Sequence, residues 1–95
     1  MAHEGLHEAL SDLSDQTRDM HRAILSLMEE LEAVAWYQQR ADAYKNDALK
    51  AVLAHNRDEE REHAAMLLEW IRRDDPAFSA QLKDYLFTDK PIAHK

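Results

Sequence analysis

Cysteine is absent from the 95 residues. Disulfides and thiolate metal sites are therefore excluded, and any bound metal must be held by Glu, Asp or His. Glycine occurs once, at Gly5, and proline twice, at Pro76 and Pro91. So few turn residues make long uninterrupted helices the expected structure. No apolar run approaches the roughly 20 residues that cross a bilayer. The opening residues, Met-Ala-His-Glu-Gly, lack the apolar core of a signal peptide. The expectation is a soluble cytoplasmic protein with no membrane partner. Positive charge is also short, with 12 Lys and Arg against 19 Asp and Glu and a net charge of −7. The basic residues form no run, which excludes a nucleic-acid partner of the usual basic-stripe kind. The balance suits attraction of cations.

What is present is heptad spacing. Leu6, Leu10, Leu13, Thr17, Met20, Ile24, Leu27, Leu31 and Val34 follow one another in alternating steps of four and three. That pattern predicts one long helix over about residues 6–40. Asn46 and Asp47 are favourable N-cap residues, so a second helix is expected from 47 to about 74. Its seam reads Leu49, Leu53, Asn56, Glu60, His63, Leu67 and Trp70, and Arg72 and Arg73 suit its last turn. Asp75-Pro76 reads as a cap followed by a first helical position. A short third helix over 76–86 would then carry Phe78, Leu82, Tyr85 and Leu86, with a frayed or extended tail over 88–95. The chain is expected to form a single all-α domain spanning 1–95, an antiparallel helical hairpin plus a short C-terminal helix. A hairpin cannot cover its own apolar stripe, and so short a domain buries a modest share of its surface. Dimerisation into a four-helix bundle is the natural solution.

Three consecutive seam positions, Asn56, Glu60 and His63, are polar where apolar residues belong. A seam Asn sets register in coiled coils, but a carboxylate buried without a partner is costly. Glu60 and His63 form Glu-x-x-His, which puts both side chains on one helical face, within reach of one metal ion. The motif alone is short, and the charged run Arg57-Asp-Glu-Glu-Arg-Glu-His63 can produce it on a solvated face. Its seam register is what points inward. Glu30 flanks the first seam by roughly 60°. Glu30 and Glu60 each lie about 15 residues from a turn centred near residues 44–45, so the hairpin brings them to one height. Tyr37 lies seven residues on, along the same edge. It is either a hydrogen-bond donor to a ligand carboxylate or an interface aromatic with its hydroxyl in water.

Carboxylate-bridged bundles take a Glu from each of two helices and Glu-x-x-His from each of the other two. This chain offers half that set, and a two-fold dimer doubles it to four Glu and two His around two metal ions. Such ligands suit iron or manganese better than copper. Glu29, Glu32 and Trp36 fall on the opposite face of the first helix, at about 200°, 140° and 180° from Leu27. They read either as solvated surface or, given Trp36, as a second interface that admits cations. His3, His7, His21, His55 and His94 are expected at surfaces or interfaces. Met20, Met28 and Met66 are expected to be packing residues.

The segments Met28-Glu-Glu-Leu-Glu-Ala-Val-Ala-Trp-Tyr37, His55-Asn-Arg-Asp-Glu-Glu-Arg-Glu-His-Ala64, Leu68-Glu-Trp-Ile-Arg-Arg73 and Tyr85-Leu-Phe-Thr88 resemble the encapsulated ferritins, a likeness that runs from about Leu6 to Ile92. The resemblance implies a ferroxidase that oxidises Fe(II) with dioxygen at a di-iron centre between two subunits and feeds iron storage in an encapsulin nanocompartment. It implies a ferritin-like bundle assembled as a ring-shaped decamer of five dimers, held by an encapsulin shell. On the matching positions Glu30, Glu60 and His63 would be iron ligands, with Tyr37 beside the centre. Glu29, Glu32 and Trp36 would form a metal uptake site that holds calcium. Ala35 departs from the Asp that family members often carry there, which thins the acidity of that patch. The family's shell-targeting peptide lies beyond the helical domain and is not among these residues, so encapsulation is expected on the resemblance alone. The other readings of the same residues are a metal-binding bundle without turnover and a purely structural helical module.

Overall fold

The structure, a computed structural model, describes residues 5–94. The readings of His3 and of Lys95 lie outside them. Among the described residues there are three α-helices and no strand. Helix α1 spans Asp15–Ala43, α2 spans Asp47–Asp74 and α3 spans Pro76–Tyr85. The first two pack as an antiparallel hairpin closed by Tyr44, Lys45 and Asn46. The turn needs no glycine because Asn46 stays extended and its side chain accepts the Leu49 N–H at 3.0 Å. Asp75 ends α2 and starts α3, accepting the Phe78 N–H at 3.0 Å, with Pro76 at the first helical position.

The first helix begins later than its heptads predict. It starts at Asp15 instead of residue 6, because Ser14 is extended and its hydroxyl accepts the Thr17 N–H at 3.1 Å. That cap supplies an acceptor for one of the unpaired N–H groups of the first turn and fixes the boundary. Leu10–Asp12 form a separate 3-10 turn, anchored by the Arg18 guanidinium, whose Nε donates to the Leu10 carbonyl at 3.0 Å. The same helix runs to Ala43, beyond the predicted residue 40, since three residues suffice for the turn. The third helix stops at Tyr85, one residue early. The tail also differs from the expected frayed segment. His94 folds back, its ring centroid 4.2 Å from that of Tyr85 and its Nε2 3.2 Å from the Asp84 carboxylate. Its side chain is only 13% exposed, so His94 is a packed residue and not a surface one.

The interior is small. Ala41, Leu53, Ala64 and Ile71 are the buried apolar residues, and only Ile71 is fully enclosed. Trp70, predicted on the seam, is exposed, and Ile71 takes the inner position. A straight helix drifts about 20° per heptad from a strict 3.5-residue stripe, so after three heptads the inward face passes to the next residue. On α1, Ile24, Met28 and Leu31 are exposed. The inward line there runs through half-buried Leu27, Glu30, Val34 and Tyr37 to buried Ala41. The accessible surface is 7418 Å², against about 5,700 Å² for a compact monomer of this mass. The Cα radius of gyration is 17.1 Å, against about 12 Å for a compact chain of this length.

The α2–α3 corner is tied by Arg72, whose guanidinium is held in place by ion pairs within α2. Arg72 donates to both oxygens of Glu69 at 2.6 Å and to the Ser79 hydroxyl at 3.2 Å, while Arg73 adds a bond to Glu69 at 2.6 Å. The hydrogen bonds from Arg72 and then Arg73 bring the Glu69 carboxyl down to about 2. The folded value lies below the unfolded one, so this corner is fully held above about pH 4.5 and loosens as pH falls toward 2. In a carboxyl NMR titration Glu69 should titrate near 2, and Arg72→Ala should move it back toward the ordinary range of Glu; an unmoved midpoint contradicts the pairing. Ser14→Ala should cost about 1 kcal/mol in urea unfolding at fixed chain concentration, and a change near zero contradicts the cap.

Candidate metal centre

Glu30 comes from the middle of α1, and Glu60 and His63 from the middle of α2. The helix period puts Glu60 and His63 on the face that α2 turns toward α1. The His63 Nδ1 lies 3.5 Å from Glu30 Oε2 and 3.5 Å from Glu60 Oε2. One ligand atom from each of the three residues lies within 4.8 Å of the others. Among the described residues this is the one group of three or more His, Asp or Glu side chains with that geometry. Their side chains are 27%, 22% and 42% exposed, so the cluster is half sunk into the hairpin with one open side. Glu30 was expected to flank the seam. The structure places it on the inward line itself, while the seam residue Leu31 is 56% exposed.

The donor set fits a divalent ion. Adjacent ligands on an ion with bonds of about 2.1 Å lie about 3 Å apart. Small rotamer adjustments close separations of 3.5–4.8 Å to that value. Two carboxylates and one imidazole carry a charge of about −2 when the imidazole is neutral, which one divalent cation balances. The absence of cysteine leaves only oxygen and imidazole nitrogen donors.

The remaining predicted site residues are placed apart from this cluster. Tyr37 is half-buried on the inward line, and its ring carries the Arg40 guanidinium at 5.4 Å from the centroid. Glu29 and Glu32 are exposed and share a shallow cleft of about 280 Å³ with Leu25 and Met28. Trp36, 50% exposed, lines a different cleft with Gln39 and Arg40. A roomier cleft of about 500 Å³ lies between the start of α1 and the α2–α3 corner, lined by Met20, His21, Ile24 and Asp74 among others, and contains none of the three ligands. His55 is exposed and pairs with Glu59 at 2.6 Å, as its place off the seam implied.

Sequence reasoning passed over a polar chain that borders the centre. Arg57 Nη1 donates to Gln38 Oε1 at 2.8 Å, from α2 to α1. Gln38 Nε2 in turn donates to Asp42 at 3.0 Å, and Arg57 Nε to Asp58 at 3.0 Å. The Arg57 hydrogen bond, followed by the charges of Arg57 and Arg61, holds the Asp58 carboxyl below its usual range. The only trace in the sequence was Gln38 four residues before Asp42, a spacing shared by any helix face.

Comparison with known proteins decides the family. The profile of the EncFtn-like family matches residues 5–89. The chain belongs to the EncFtn-like family. This EncFtn-like chain is similar to the encapsulated ferritin-like protein of Rhodospirillum rubrum, with 59% identity over 86 residues, covering 90% of this chain and 61% of that one. It is also similar to the ferritin-like protein of Thermotoga maritima, with 57% identity over 86 residues, covering 90% and 75% of the two chains. The chain thus spans less than two thirds of the Rhodospirillum protein. The crystal structure of a protein from Nitrosomonas europaea superposes with a TM-score of 0.89 at 72% identity, covering 95% of this chain and 99% of that one. These likenesses agree with the all-α, ferritin-like helical fold.

If the three side chains of this EncFtn-like chain form one centre, calorimetric titration of metal-free protein with Mn(II) should give about one tight site per chain. Glu30→Ala should weaken binding at least tenfold. An unchanged affinity in that variant refutes the convergence of the two helices on one ion.

Proposed function

We propose that the chain is half of a ferroxidase, in which two copies pair across a two-fold axis and oxidise Fe(II) with dioxygen at a shared di-iron centre. The observation that carries this reading is the convergence of Glu30, Glu60 and His63 from two helices into a half-open cluster. A two-fold axis through the open side would double the ligands to four Glu and two His, the set that carboxylate-bridged bundles use. The excess exposed surface and the uncovered stripe of Ile24, Met28 and Leu31 support association. Iron held there would supply the electrons, one from each Fe(II), that pass to dioxygen. The residues of the chain bind the ions, balance their charge and set their spacing. The His63 Nδ1 faces both carboxylates at 3.5 Å, so the three groups would hold an ion from one side. Tyr37, on the same inward line, would stand beside the centre, the role that the family resemblance implies.

The name of the Rhodospirillum relative, an encapsulated ferritin-like protein, supports a place inside a protein compartment; an encapsulin shell in the cytoplasm and passage of oxidised iron to storage are what the family resemblance implies. No helix of the described residues is long and apolar enough to cross a membrane. Assembly as a ring of five dimers, which the family resemblance implies, belongs to the same proposal. So does cation uptake at Glu29 and Glu32, with Trp36 nearby and calcium as an occupant. The exposed carboxylates on one shallow cleft support that last role.

Oxygen uptake on anaerobic-to-aerobic mixing with Fe(II) tests the reading. Glu60→Ala and His63→Ala should each abolish rapid oxidation while far-UV circular dichroism stays helical. A variant shown by ultracentrifugation to be monomeric, such as Leu31→Glu, should also be inactive, because each chain holds half the ligands. Full activity in the ligand variants refutes the site, and full activity in a monomer refutes the shared centre. Metal binding without oxygen uptake reduces the protein to a metal-binding bundle.

A further inference from the structure

We propose that Gln38 and Arg57 form a register clamp that holds α1 and α2 at the axial offset the metal centre requires, an inference that rests on the metal-centre reading above. Glu30 stands on one helix and Glu60 with His63 on the other. Sliding α2 along α1 by a single residue displaces these ligands by about 1.5 Å, enough to spoil a coordination polyhedron. Apolar contact does not prevent such a slide where the interior is polar. Between Leu53 and Leu67 the inward positions of α2 are Asn56, Glu60, His63 and Ala64, with no large apolar side chain to lock into α1. Hydrophobic burial is in any case non-directional. A directional bond is needed in this stretch.

The Arg57–Gln38 bond supplies it. At 2.8 Å it crosses from α2 to α1 three residues before Glu60 and one residue after Tyr37. Arg57 is only 20% exposed on its side chain, so the bond is screened less than a surface contact. Both ends are fixed by further bonds. Asp42 can only accept, and it takes the Gln38 amide N–H, which turns Oε1 toward Arg57. Asp58 takes Arg57 Nε, and is itself held by Arg61 at 3.0 Å. The clamp also disposes of a charge. At i−3 from Glu60, the Arg57 guanidinium stands within reach of that carboxylate and would compete with a cation for it. With Nε bound to Asp58 and Nη1 to Gln38, two of its five N–H donors are directed away from that carboxylate.

Co(II) titration read by its visible absorption bands tests the clamp, with circular dichroism and thermal unfolding on the same samples. Gln38→Ala and Arg57→Ala should each weaken Co(II) binding on the order of tenfold and alter the band pattern that reports ligand geometry. The double variant should be no weaker than the weaker single, and Arg57→Lys, which keeps one donor, should fall between. Should Arg57→Ala fail to fold, Gln38→Ala carries the same test. A lowered Tm with unchanged affinity and spectrum means ordinary structural support and overturns the proposal. Glu60→Ala separates the two readings. If it binds Co(II) as the native chain does, the metal centre itself falls. If it loses the ion while the clamp variants keep native binding, only the clamp falls.

Discussion

Two helices packed side by side cover one stripe of each other and leave every other face to solvent. That constraint governs this molecule. With only Ala41, Leu53, Ala64 and Ile71 buried among the apolar residues, the hairpin has little core of its own. Its exposed apolar line on α1 is longer than its interior. A chain so built gains most of its apolar burial from association. The same geometry makes its chemistry incomplete in one copy, because two helices carry half of a four-helix ligand set. In the proposed dimer, stability and completion of the site would be properties of one event, the pairing of chains.

The polar cluster has its own cost within the hairpin. Glu30, Glu60 and His63 occupy positions where Leu would pack, and their ligand atoms, two carboxylates among them, lie within 4.8 Å of one another. Metal binding, as proposed, would offset the repulsion between the carboxylates and the lost burial together, so its free energy would be in part free energy of the folded state. The Arg72–Glu69–Ser79 corner works differently. It ties α3 through the hydrogen bond from Arg72 to Ser79, owes nothing to the centre, and leaves α2 free to end where its caps dictate.

Much of this was legible in the residues. The second helix could be bounded at both ends because Asn46 and Asp75 are side-chain caps visible in the sequence, and each accepts the N–H three residues on, as such caps do. The start of α1 was not legible from spacing, because Leu6, Leu10 and Leu13 continue the heptad across Ser14. Periodicity reports which residues share a face, not where a backbone leaves the helical conformation. The meeting of Glu30, Glu60 and His63 was readable because polar residues broke an apolar seam. Its precise register was less so: Glu30 lies inward beside an exposed Leu31, and on α2 the drift of a straight helix from a 3.5-residue repeat turned Trp70 outward and gave Ile71 the core. The Gln38–Arg57 bond and the folding back of His94 onto Tyr85 join residues whose sequence spacing carries no signal of contact.

Glu30 and Glu60 sit near the midpoints of α1 and α2, about 20 Å from either end of each helix. Helices open from their ends, and the least stable amides of a hairpin are those near its tips. The cluster therefore occupies the stretch that opens last. Breathing at the turn, or at the α2–α3 corner, can admit solvent or accommodate a neighbour without unseating an ion held at mid-height.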